Sequence, residues 1–209
     1  MPTARSRRPR RTPVSARFPR LALSGDLRAQ PKSVLREYAH WYTTNVDCCI
    51  RRLEEEVRAS SPTFASWRAD RSVSSFLRLE TWLVRTCGIR MTKPEVVSVN
   101  TGKYVHRIEI DPMEVLQQRS IVPIFCLGVY FGAVLMKRHE QLRYRQYWKT
   151  PNFVMHGEMV LGPCRERDDE INPVGSMHLL ALCIHDRDRI RRGRTLRAFL
   201  RLCDKGIRG

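Results

Sequence analysis

Before Asp26 the chain has no acidic residue at all, and that single carboxylate faces eight Arg within residues 1–30, a net of +7. The far end is also short of acid: residues 186–209 carry eight Arg, Lys205 and three Asp, a net of +6. Together the two ends hold +13 of the formal +17, which leaves +4 over the 155 residues between them. The sequence pI of about 10.4 therefore describes the ends. The nucleic-acid reading that a high pI invites does not describe the middle.

Other absences narrow the function classes. Seven Cys stand at 48, 49, 87, 126, 164, 183 and 203. The count is odd and no two have the spacing of a zinc site, while adjacent Cys48 and Cys49 fall on different faces of a helix. This argues against a disulfide framework and a Cys-based metal site, and it favours a reducing, cytoplasmic compartment. The N-terminus has charge but no apolar core before a small-residue cleavage site, so no secretory signal is expected. The longest apolar run, Ile121 to Met136, contains Pro123 and falls short of the ~20 residues that span a bilayer, so it is expected to be a core helix.

Catalytic patterns are missing too. His40, His106, His139, His156, His178 and His185 give no His-x-x-x-His and no His-Glu-x-x-His. There is no Gly-x-Ser-x-Gly, no P-loop and no dinucleotide fingerprint. Cys183 and His185, two apart, do not face each other on a helix. Glu109, Asp111 and Glu114 gather at a strand-to-helix junction, where Asp111 and Glu114 already have a capping role. No cofactor and no metal is implied, and the expectation is a protein that is not an enzyme.

What is present organises the rest. With 42% apolar residues the chain can bury a core without staples. Residues 1–31 mix Arg with Pro, Ser and Ala, show no apolar period, and are expected to be a disordered basic extension. An inert extension is the favoured reading there, ahead of a nucleic-acid or membrane-surface arm and a transit peptide. Residues 32–209 then form a single domain. A first helix is predicted over 32–59, since Val34, Tyr38, Trp41/Tyr42, Val46, Cys49, Leu53 and Val57 recur at steps of three and four. A second runs over 72–86, with Val73, Phe76, Leu77, Trp82, Leu83 and Val84 inward and Gly88 closing it.

Val96–Val99, a turn at 100–103, and Tyr104–Ile110 read as a β-hairpin. Asp111-Pro112-Met113-Glu114 reads as the start of a short helix that Pro123 interrupts. Pro123 to Gln141 is apolar nearly all round, with Gly128 and Gly132 on one face for close packing on a sheet. Tyr144, Tyr147 and Trp148 lead into a strand over 152–161 that Gly162-Pro163 stops, and residues 165–170 form a solvated charged loop. Asn172-Pro173 caps a helix to His185, and the last, basic helix spans 194–205. The order predicts an α+β fold: a small antiparallel sheet packed against several helices, one central helix largely buried.

Two stretches, 72–83 (SVSSFLRLETWL) and 128–148, together with INPVGSMHLL at 171–180, carry a resemblance. Gly128, Tyr130, Gly132, Val134 and Trp148 match a Gly-x-Tyr-x-Gly-Glu-Val helix followed by a strand-opening Trp. On these residues the chain resembles a loose group of small bacterial α+β proteins, over residues 65–185. Where the group carries Glu, this chain has Ala133. Some proteins of this size and build are immunity proteins, which neutralise a toxin by binding it, so the resemblance implies a binding role and no catalytic residue.

The candidate binding residues come from the basic C-terminal segment: Arg187, Arg189, Arg191, Arg192, Arg194, Arg197 and Arg201. The planar guanidinium fork suits carboxylate and phosphate alike. The expected partner is an acidic protein, for an immunity or antitoxin-like role. The alternative is sequence-independent nucleic-acid binding through the Arg-rich termini.

Overall fold

The computed structural model describes residues 17–24, 26–91, 95–100, 105–110, 114–148, 155–163, 170–183 and 196–208. Its helices are α1 (Arg17–Ser24), α2 (Lys32–Ser60), α3 (Val73–Leu77), α4 (Leu79–Thr86), α5 (Gln118–Arg138), α6 (Pro173–Cys183) and α7 (Leu196–Arg208). The strands are β1 (Ile89–Met91), β2 (Glu95–Asn100), β3 (Val105–Ile110), β4 (Glu114–Leu116), β5 (Arg143–Gln146) and β6 (Met159–Gly162). The fold is α+β. Among the described residues the strands pair as three antiparallel two-stranded ladders, β1 with β4, β2 with β3, and β5 with β6.

Helix α5 is the centre. Every residue from Pro123 to Leu135 is buried, and α2 and α6 supply most of the packing. By length and composition alone α5 could cross a membrane, with a mean hydropathy of 1.8, yet 78% of that apolar window is buried inside the protein. Pro123 sits inside the helix rather than ending it. Its missing N–H frees the carbonyl of Arg119, an exposed residue, so water can serve that group and the penalty for an interior proline is reduced. Gly128 admits α6: a Cβ there would lie 2.6 Å from the Val174 Cα. The partner of this glycine face is thus a helix, with Tyr144 of β5 closing over Gly132.

The α2 stripe holds as expected, with Tyr38, Tyr42, Cys49, Leu53 and Val57 buried and Leu35 and Ile50 added. Aromatic contacts tie it to its neighbours. Tyr42 meets Phe125 of α5 at 5.8 Å and Tyr144 of β5 at 5.1 Å between ring centroids. Across the molecule Phe131 links α5 to Phe76 of α3 and Phe199 of α7.

Several expectations are corrected. The segment expected to lack order becomes structure from Arg17 onward: α1 and a 3-10 turn at Asp26–Ala29 bury Phe18, Ala22, Leu23 and Leu27. Phe18 lies 5.3 Å from Trp41 of α2, and Pro19 falls in the first turn, where proline is tolerated. Residues 1–16 lie outside the described residues. Second, Glu114–Leu116 is a strand held by β1, with Arg90 opposite Val115, and the following helix begins only at Gln118. Third, Val84 is 43% exposed; Leu79 takes an inward place instead, after a break at Arg78 between α3 and α4. Fourth, Arg143–Gln146 is itself a strand paired with β6, register Tyr144 to Leu161. Gly88 does not close a helix in left-handed geometry. It is hemmed in by Gln117, 2.6 Å from where its Cβ would stand.

The hairpin is present as β2–β3, with Asn100 opposite Val105; its turn lies outside the described residues. Asn172 caps α6, its Oδ1 accepting from the Gly175 N–H at 2.9 Å. The charged loop is corrected at its end. Glu170 is buried and ion-paired with Arg145, while 165–169 lie outside the described residues.

Candidate binding surfaces

Helix α7 owes its position to both of its ends. Leu196, Leu200 and Ile207 are buried and recur at helical spacing. At its start the Leu196 N–H donates to Glu80 Oε2 of α4 at 3.1 Å, so a carboxylate satisfies an orphan donor at the positive end of the helix dipole. Toward its end Asp204 is turned inward. It takes a two-pronged bond from Arg138, with Nε and Nη2 at 2.9 and 2.8 Å, and lies 2.8 Å from Nε2 of the buried His139. The acid of the described helix is thereby spent on α5.

Among the described residues, no ion pair offsets the cations that remain outward. Arg197, Arg201 and Lys205 are exposed at steps of four, one row along the helix. Beside them Leu202 is 68% exposed. Of the candidate binding residues, the structure places Arg197 and Arg201 on this face. Arg187, Arg189, Arg191, Arg192 and Arg194 lie outside the described residues.

A second basic feature was invisible in the sequence. Arg20 of α1, Arg52 of α2, Arg85 of α4 and Arg119 of α5 line one cleft of about 990 Å³, with Glu56 and Trp82. Arg52 Nε donates to Glu56 Oε1 at 3.0 Å. With its amide oxygen turned toward the guanidinium, Gln118 accepts from Arg20 Nε and Nη2 at 2.9 Å each. Burial raises the Glu56 carboxyl above its ordinary range, against the opposing pull of Arg52. The Trp82 indole N–H is enclosed and has no hydrogen-bond partner among the described residues, an arrangement that costs about 1–3 kcal/mol. No periodicity or motif joins these residues, which meet only through the tertiary fold.

A smaller cleft, about 490 Å³, is lined by Lys32, Arg36, Gln146, Trp148 and His156. Trp148 and His156 meet edge to face at 5.2 Å. Gln146 is committed to structure, donating to the carbonyls of Leu35 and Gly157 at 2.7 and 2.9 Å. Glu158, 5% exposed, lies next in the chain, and burial pushes its carboxyl up to about 8.

Among the described residues no three His, Cys, Asp or Glu gather to hold a metal ion. The described cysteines form no disulfide among themselves; Cys87 is pushed up to about 11 by burial, which suppresses thiolate chemistry at neutral pH. Asp111 and His185 lie outside the described residues.

No family model, no curated protein and no solved structure matches this chain.

Proposed function

We propose that this chain is a non-enzymatic, cytoplasmic binding protein whose α7 face recognises an acidic protein, with an immunity or antitoxin-like role as the specific form. One observation carries the choice of partner: the exposed Leu202 set beside the row Arg197, Arg201 and Lys205. A helix that reads phosphates needs cations and polar donors. An apolar side chain flanked by a row of charge suits a protein interface, where an apolar anchor is desolvated beside a polar rim. Positive rim charge speeds encounter with an acidic surface and makes it salt-sensitive. The resemblance over residues 65–185 supports the same binding role.

The test is binding of the full chain to random-sequence DNA and RNA across a salt series, for wild type and Arg197→Glu/Arg201→Glu. The reading expects the same salt slope for both proteins. If the variant loses about two units of slope, near one per arginine, then α7 is a nucleic-acid surface and the protein-partner reading falls.

A further inference from the structure

The arginine cleft carries an excess of positive charge. Four guanidinium groups and one carboxylate line it, a net of +3 from Arg20, Arg52, Arg85, Arg119 and Glu56. None of its lining residues belongs to α7, so it stands apart from the face proposed for the protein partner. Among the described residues its recorded ion pair is Arg52 with Glu56.

Helix-end neutralisation accounts for Arg85 but not for Arg119. Arg85 lies in the last turn of α4, where a cation complements the negative end of the helix dipole. Arg119 lies in the first turn of α5, where a cation opposes the positive end. That placement is unfavourable until an anion enters. The start of α5 has no side-chain cap; the Ser120 N–H turns back to the Gln117 carbonyl, which leaves, among the described residues, the N–H groups of Gln118 and Arg119 to attract an anion.

A third observation is independent of charge. Trp82 lines the cleft at 1% exposure, and its indole N–H lacks an acceptor among the described residues. The volume is that of a site for a small organic molecule rather than a lone inorganic anion, and Val122 and Pro123 give it an apolar wall.

We propose that this cleft binds a small molecule bearing a diphosphate group, held by Arg85, Arg119, Arg52 and the start of α5. The diphosphate charge is close to the net charge of the lining, and its oxygens accept guanidinium donors in pairs. Glu56 competes with the ligand for Arg52, so its removal strengthens binding.

The experiment titrates the full chain with inorganic pyrophosphate, following heat and the indole N–H resonances. The Trp82 signal, assigned with Trp82→Phe, is expected to move with half-saturation below about 100 µM. Arg85→Ala and Arg119→Ala, both at exposed positions, are expected each to weaken binding about tenfold. Glu56→Gln, which keeps the side-chain shape, is expected to tighten it about threefold. No heat and no Trp82 shift at 10 mM overturns the proposal. So does binding that both arginine variants and Glu56→Gln leave unchanged, which places the anion elsewhere. Equal affinity for sulfate and pyrophosphate overturns the diphosphate assignment.

Discussion

Arg197 and Arg201 leave one helix in a single exposed row, whereas Arg20, Arg52, Arg85 and Arg119 arrive from four helices to line one cleft. The first set is dense in sequence and spread over a surface. The second is scattered in sequence and gathered in space. A row of cations in water is screened within about 8 Å at physiological salt and acts mainly on the approach of a partner. Cations gathered around one concavity act together on a single ligand. Charge density along a chain is therefore a poor guide to where charge works hardest.

The comparison is sharpened first by Glu158, a carboxylate buried away from both arginine sets. Its folded pKa lies near 8 against an ordinary 4.5. Between those values the folded state holds more protons than the unfolded one, so stability falls as pH rises through that window. Glu158→Gln is expected to abolish that slope, gaining about 4 kcal/mol over wild type at pH 8 and almost nothing at pH 4. Urea unfolding at a series of pH values measures it.

The next effect separates the two basic regions. Arg85→Ala with Arg119→Ala is expected to weaken pyrophosphate binding about 100-fold and to leave partner binding through α7 intact. Calorimetry reads the first and co-purification the second. The converse change, Arg197→Glu with Arg201→Glu, is expected to weaken the protein partner about tenfold at physiological salt, with the gap to wild type shrinking at 1 M salt. Pyrophosphate affinity is expected to stay within about twofold, since α7 lines no part of the cleft. The smallest effect is Leu202→Ala, about fivefold on the partner and independent of salt, as removal of an apolar anchor requires.

Periodic elements were legible in the sequence because their signal is local. The α2 stripe, the all-round apolar α5, the anchors of α7 and the Asn172 cap each follow from spacing within one element. Helix α1 was hidden because Phe18, Leu23 and Leu27 sit among arginines. An eight-residue helix also draws its stability from what it packs on, here Trp41 and α5, rather than from its own propensity. The Asp111-to-Glu114 start signal lost to pairing of β4 with β1, a tertiary override of a local preference. Glu170 read as solvated because Arg145, its partner, lies on another strand. Of the site, the outward row of α7 was legible from composition, while the cleft was not, since four elements each contribute one arginine.

The central claim is that α7 meets an acidic protein. Its most direct test is capture from a nuclease-treated lysate of the native cell, using full-length wild type beside Arg197→Glu/Arg201→Glu. The account predicts an acidic protein held in about equimolar amount at physiological salt by wild type and lost by the variant. Retention of the same protein by the variant, or loss of capture on nuclease treatment alone, would contradict it.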